Sequence, residues 1–266
     1  MPKIVDGAAG FVTYELRGEV ALIGLNRPKK RNAISDRFVE AINDSVARAS
    51  AEAKAGVIHG HGPHFCAGLD LSEHSEKPLF EAVKGSRRWH AVFNTIERGT
   101  IPFVSALTGA TVGGGFELAA STQIRVADST AFFALPEGQR GIFVGGGGSV
   151  RIARLIGPAR MGDMMLTGRV LSADAMERWG GVTYVTEEGK ALERAIEVAS
   201  QMATNAEFTN YAIINALPRI ADMSAEDGLF AESMVASLAT MTDDAKDRLR
   251  AFLEKRAAKV QAPGDG

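Results

Sequence analysis

The run Gly113-Gly114-Gly115-Phe116-Glu117-Leu118-Ala119, followed by Leu135-Pro136-Glu137, sets two carboxylates close to a stretch of bare backbone. That pairing suits acid/base work on a carbonyl compound. Negative charge developing on a carbonyl oxygen is best met by backbone N–H donors that side chains do not obstruct, and glycine allows that approach. A helix starting near Gly114 aims its unpaired N–H groups and positive dipole end at one spot, with Glu117 in its first turn. Glu137 follows a short strand expected over 131–134, and Pro136 fixes the chain direction just before it. Loops at strand ends often carry catalytic groups. Each feature alone has a plainer reading, a tight turn and two solvated carboxylates; it is their combination that points to chemistry. A second donor is found upstream, in His61-Gly62-Pro63-His64-Phe65-Cys66-Ala67-Gly68-Leu69-Asp70-Leu71. The small residues Cys66, Ala67 and Gly68 leave the main chain accessible, so an N–H just beyond them completes a two-donor oxyanion hole. Taken alone, this is a strand-to-helix loop in which Gly68 allows an unusual φ.

The elements that must position these residues alternate between strands and helices. Strands are expected over 11–16 and 19–25, joined by Arg17-Gly18 as a hairpin signal. Ser35 is placed to cap a helix running to about Ala53, with Phe38, Val39, Ile42 and Val46 on one face. Val57-Ile58-His59 reads as a short buried strand, 78–97 as a helix, and 102–107 and 124–127 as further strands. This alternation favours a layered α/β domain. From Gly147 the pattern turns mainly helical, over 149–156, 158–167 with proline at a helix start, and 172–178. The last seventy residues read as three or four helices punctuated by Glu207, Ser224 and Asp243. The expected organisation is therefore a core over 1–200 that holds the site, and a helical region over 201–266 that closes on that core or packs on another subunit.

With 266 residues, 45% hydrophobic and 23% charged, the chain has the composition of a soluble globular protein with a large core. Thirty Lys and Arg against 32 Asp and Glu leave a net charge of -2, which argues against overall attraction to nucleic acid or an anionic membrane. The single cysteine, Cys66, excludes an internal disulfide framework and reads as a small buried apolar residue in a reducing compartment. No stretch approaches twenty apolar residues and the first ten show no leader pattern, so the expected setting is the cytoplasm.

Taken in order, these features resemble the enoyl-CoA hydratase/isomerase, or crotonase, superfamily. The matching landmarks are Leu25-Asn26-Arg27-Pro28 with Asn32-Ala33, Phe65-Cys66-Ala67-Gly68-Leu69-Asp70, Gly109 with Gly113-Gly114-Gly115, Pro136-Glu137, and Phe252-Leu253-Glu254-Lys255-Arg256. The resemblance implies an α/β fold, a spiral of ββα units with a C-terminal helical region, assembled as a homotrimer or as a hexamer of two trimers. It implies a coenzyme A thioester as substrate and no separate cofactor. By motif position the amides of Leu69 and Gly114 hold the thioester oxygen. Ala67, Gly68, Asp70 and Leu71 line the coenzyme A path, and Arg27, Lys29, Lys30 and Arg31 neutralise its phosphates. Hydratases of this type carry glutamates at the positions of Glu117 and Glu137, so the resemblance implies hydration of a 2-enoyl-CoA. Glu137 then serves the α carbon and Glu117 the water that attacks the β carbon. As close carboxylates the two would titrate as a coupled pair.

Some residues depart from the family pattern. Val144 stands where proline is common, and together with Phe143 it reshapes the acyl pocket, to which Trp89 is also assigned. Gln123 replaces a frequent Asp as a structural change. The sequence around 134–148 and Gly68-Leu69-Asp70-Leu71-Ser72-Glu73-His74 resembles the branch that includes methylthioacryloyl-CoA hydratase, which implies a short, heteroatom-bearing acyl group. Nucleotide readings fail on spacing, because the third glycine of G-x-G-x-x-G is met by Leu118 or Val150 and no G-K-[ST] follows. His59, His61 and His64 lack a familiar ligand spacing and read as packed histidines, so no metal is expected. Isomerase and thioester hydrolase chemistry remain the rivals among enzymes, and a catalytically silent binding relative is the rival outside them.

Overall fold

A computed structural model describes residues 3–4, 10–72 and 78–256. The leader reading of the first ten residues and the Glu73-His74 end of the 68–74 motif fall largely outside the described residues. The chain divides into two units, residues 1–204 and 205–266.

In the first unit the strands are β1 (Lys3–Ile4), β2 (Val12–Arg17), β3 (Val20–Leu25), β4 (Ala55–Gly60), β5 (Phe103–Leu107), β6 (Ala110–Val112), β7 (Ile124–Asp128), β8 (Phe132–Ala134), β9 (Leu171–Ser172) and β10 (Tyr184–Thr186). Its helices are α1 (Asp36–Glu52), α2 (Leu79–Glu97), α3 (Gly114–Ala119), α4 (Gly148–Ile156), α5 (Pro158–Thr167), α6 (Ala173–Trp179) and α7 (Ala191–Ala203). The opening hairpin pairs Val12 with Leu25 and Arg17 with Val20, so its turn is Gly18-Glu19, one residue later than the sequence suggests. Gly18 adopts φ +59°, which glycine takes at little cost. From β3 onward the main sheet is parallel and runs β1-β2-β3-β4-β5-β7-β10. β3 is buried along its whole length, as expected for a strand covered on both faces.

After each inner strand the chain touches a second, smaller sheet before it turns into a helix. That sheet pairs β6 with β8 and β8 with β9, and single bridges from Ile34 to Leu69 and from Cys66 to Thr111 extend it. The repeated strand, short strand, helix unit winds a spiral that brings the ends of successive turns together. α1, α2 and α3 pack on one face of the main sheet around Phe38, Ile42, Phe93, Phe103 and Phe116. α7 covers the other face, where Ala195, Val198 and Ala199 meet Val20, Leu22, Val57, Val104 and Val126. Period-two alternation along each strand sends neighbouring residues to opposite layers. The apolar face expected for α1 is the face it buries. Ser35 differs from expectation: its side chain caps nothing and its Oγ is buried without a partner.

The second unit holds α8 (Glu207–Asn215), α9 (Leu217–Ile220), α10 (Ala225–Met241) and α11 (Asp243–Leu253). Ser224 caps α10 through the Asp227 N–H, and Thr242, rather than Asp243, caps α11 through the Ala245 N–H. Among the described residues no helix is long and apolar enough to cross a membrane.

Candidate active site

The oxyanion donors are set by strand geometry. In the parallel bridge between Ile34 and Leu69, the Ile34 N–H donates to the Gly68 carbonyl at 2.7 Å and the Asp70 N–H donates to the Ile34 carbonyl at 2.8 Å. Alternation along the chain therefore turns the Leu69 N–H the other way, toward the start of α3. There Gly114 is the first helical residue and has no carbonyl one turn earlier to receive its N–H. The loops can meet only because side chains are missing. A Cβ on Gly68, whose φ is +91°, would stand 2.7 Å from the Val112 carbonyl and 3.4 Å from the Gly114 nitrogen. Gly113 has φ +52° and ψ −122°, a backbone state closed to other residues, and a Cβ there would stand 2.6 Å from Glu137 Oε1.

Leu69, Gly114, Glu117 and Glu137 all line one cavity of about 420 Å³. Glu117 is 3% exposed, and its Oε1 accepts the Gly146 and Gly148 N–H groups at 2.8 and 2.7 Å. A Cβ on Gly148 would lie 2.8 Å from Glu117 Cγ, so glycine there permits the approach. Burial raises the Glu117 pKa above the usual carboxylate range, against the pull of these amides and of Arg151. Glu137 is 6% exposed, and its Oε2 is buried with no partner among the described residues. Burial raises its pKa too, and the neighbouring Glu117 charge adds to the rise. One acid thus has two fixed amide donors on its charge and the other has an orphaned oxygen, an arrangement that favours ionised Glu117 beside protonated Glu137.

Arg151, which sequence reasoning missed, braces the Glu117 amides. Its guanidinium donates to the Gly146 carbonyl at 3.0 Å, to Glu97 Oε2 at 2.8 Å and to Asn94 Oδ1 at 2.5 Å. Trp89 lies in the cavity wall and donates from Nε1 to Asp36 Oδ1 at 3.2 Å, a positioning contact also missed. Val144 is buried in the same wall, and Phe143, 68% exposed, stands at its rim.

The expected coenzyme A contacts divide. Arg27 and Asp70 meet each other: the Arg27 guanidinium donates to Asp70 Oδ2 at 2.8 Å and to the Ala33 carbonyl at 2.7 Å, tying two loops together. Burial alone would raise the Asp70 pKa, but hydrogen bonds from Ser72, Lys30 and Arg27 outweigh it and hold the carboxyl well below its usual range. Lys30 bridges Asp70 and Ser72 at 2.9 and 3.0 Å. Lys29, Arg31 and Leu71 are exposed, and Ala67 is half-buried beside the buried Gly68. Gln123 does structural work, accepting the Phe103 N–H and donating to the Ile96 and Glu97 carbonyls. His61 bonds to Thr13 and His64 Nδ1 accepts the Ala110 N–H, so these histidines pack. Cys66 is fully buried, and burial pushes its thiol up to about 12, which leaves it inert.

With this geometry in hand, the family model for enoyl-CoA hydratase/isomerase matches residues 15–262. The chain belongs to that family. It is similar to the short-chain-enoyl-CoA hydratase of Clostridium acetobutylicum, at 32% identity over 92% of this chain and 95% of that one. Enoyl-CoA hydratase EchA19 of Mycobacterium tuberculosis is 29% identical over 98% of this chain and 99% of its own length. Among solved structures, a Rhodopseudomonas palustris protein assigned as an enoyl-CoA hydratase superposes with a TM-score of 0.90 at 49% identity, covering 94% of this chain and 97% of that one. The family fold is the ββα spiral with C-terminal helices already described.

Proposed function

We propose that this protein is an enoyl-CoA hydratase, adding water syn across the double bond of a 2-enoyl-CoA thioester to give a 3-hydroxyacyl-CoA. The observation that carries this reading is the convergence of two amide donors and two buried, unlike glutamates on one cavity. The thioester oxygen sits between the Leu69 and Gly114 N–H groups, which stabilise the enolate as it forms. Ionised Glu117, held from turning by the Gly146 and Gly148 amides, takes a proton from water while the water oxygen bonds to the β carbon. Protonated Glu137 gives its proton to the α carbon, and proton return from Glu117 to Glu137 resets the pair. Coenzyme A is part of the substrate, and no further cofactor takes part. Among the described residues, exposed Lys29 and Arg31 are cations that can meet its phosphates.

We also assign the C-terminal helices to assembly of a homotrimer or a pair of trimers. The exposed Leu229, Phe230, Met234, Leu238 and Met241 of α10 support an apolar contact face. Light scattering of the purified protein measures that state. A set of enoyl-CoA thioesters with products identified by mass, run on wild type, Glu117→Gln and Glu137→Gln, tests the chemistry. Each variant should lose about a hundredfold or more in kcat with the fold intact. Activity within about tenfold of wild type in both would sink the assignment.

A further inference from the structure

Gly85 lies in the middle of α2, where glycine weakens a helix relative to alanine. Nothing in the local backbone asks for it, since Gly85 has no positive φ. Packing does not ask for it either: a Cβ built there meets no atom of the described residues within 4 Å. Yet Gly85 is buried. A buried position with open space at its Cβ faces a cavity, and the cavity is the one that holds Glu117 and Glu137. Its neighbour Ser86 donates from Oγ to the Gly145 carbonyl at 2.7 Å, which pins the opposite wall at a set distance from α2. Gly145 adds no side chain to that gap, since a Cβ there would meet only Ser86 Oγ, at 3.9 Å. Trp89 and Val144 line the same cavity. The space beside Gly85 is therefore framed on both sides and left open by the choice of glycine.

We infer that Gly85 sets the size of the acyl group this site accepts, and that this group is apolar and larger than a four-carbon chain. The inference rests on the hydratase reading for its substrate. If each carbon displaces roughly the 30 Å³ share of one water, a four-carbon acyl chain fills only about 120 Å³. The cavity of about 420 Å³ also takes in the oxyanion amides and both glutamates, and room remains in it after about three further such shares for the thioester and the attacking water. The short acyl group implied by the methylthioacryloyl-CoA branch would leave the Gly85 space unfilled.

The test compares crotonyl-CoA with octenoyl-CoA in wild type, Gly85→Ala and Gly85→Leu. Wild type should turn over octenoyl-CoA with the higher kcat/KM. Gly85→Leu should lower that value about tenfold or more and lower the octenoyl-to-crotonyl ratio by more than about twofold. Gly85→Ala should melt about 2 °C higher, because the helix gains and nothing clashes. An octenoyl-to-crotonyl ratio that moves less than about twofold in Gly85→Leu, or a wild-type preference for crotonyl-CoA of about tenfold, overturns the inference. If wild type hydrates neither thioester, the hydratase reading fails by itself. The size claim is then decided by calorimetric binding of octanoyl-CoA and butyryl-CoA to wild type and Gly85→Leu, where an unchanged affinity ratio overturns it.

Discussion

Replacing Arg151 by methionine removes the brace behind Glu117 while filling much of the same volume. The Arg151 side chain is 7% exposed and its Glu97 partner 21%. Methionine leaves the Glu97 carboxylate with only the longer contact to Arg98, at 3.9 Å, and the buried Gly146 carbonyl short of a donor. Breaking a buried charge pair costs about 3–5 kcal/mol, and the partial exposure of Glu97 places this case near the lower end, about 3 kcal/mol. For a unit of this size that loss lowers Tm by roughly 6–12 °C. The catalytic effect follows from the same contacts. Arg151 holds down the Glu117 pKa, so its removal raises that pKa further, and the acid limb of the kcat/KM profile moves to higher pH. The sign for stability follows from linkage. A buried carboxyl with a raised pKa holds its proton in the folded state at pH values where the unfolded chain has released it, so its contribution is full at low pH and lost as pH rises. The Arg151→Met deficit should therefore be larger at pH 8 than at pH 5. Calorimetric melts at the two pH values and a pH-rate profile measure both effects. An unmoved acid limb with Tm within about 1 °C of wild type would refute the positioning role.

Gly113→Ala should both strain the backbone and push on Glu137 Oε1, from a Cβ position 2.6 Å away. The expected result is a loss of about 2 kcal/mol or more in urea unfolding together with a kcat deficit, and a variant as stable and active as wild type would contradict it. His59 sits beside His61, and burial lowers its pKa from 6.5 to about 4, with His61 adding to the drop. The unfolded chain binds a proton there that the folded chain refuses. Stability is thus full above pH 6.5 and falls toward pH 4, by about 2 kcal/mol after allowance for partial exposure. His59→Gln should make the denaturation midpoint fall less steeply across that window than in wild type, and an unchanged slope would contradict the assignment. Asp70, whose pKa is depressed, acts at lower pH, while His61, His64 and His90, also lowered by burial, keep part of the slope in the variant.

Much of the main sheet was legible because its strands are apolar runs bounded by turn residues, and α1 because Phe38, Val39, Ile42 and Val46 repeat at helical spacing. Gly113 to Glu117 announced itself through local chemistry. The small residues at 66–68 pointed to an open backbone, and the family resemblance named Leu69 within it. The rest depended on partners far apart in sequence. Asp70 accepts from Arg27 across 43 residues, an internal tie that no local pattern shows. Gly146 and Gly148 reach Glu117 across 29 and 31 residues from a loop with no periodic pattern, although its run of glycines was a usable sign of close approach. β6 and β10 are three residues each, too short for an alternation to show. Gly85 left no sequence signal until the cavity gave its missing side chain a meaning.

The central claim is that water is added across a double bond held between two amides and two glutamates. Incubating wild type with crotonyl-CoA and octenoyl-CoA in water enriched in heavy oxygen, and then locating the label by mass spectrometry, tests this directly. The expected product is a 3-hydroxyacyl-CoA with one heavy oxygen on its β carbon and the thioester intact, lost together in Glu117→Gln and Glu137→Gln. Free coenzyme A with label in a released acid, or a shifted double bond with no oxygen added, would contradict the account.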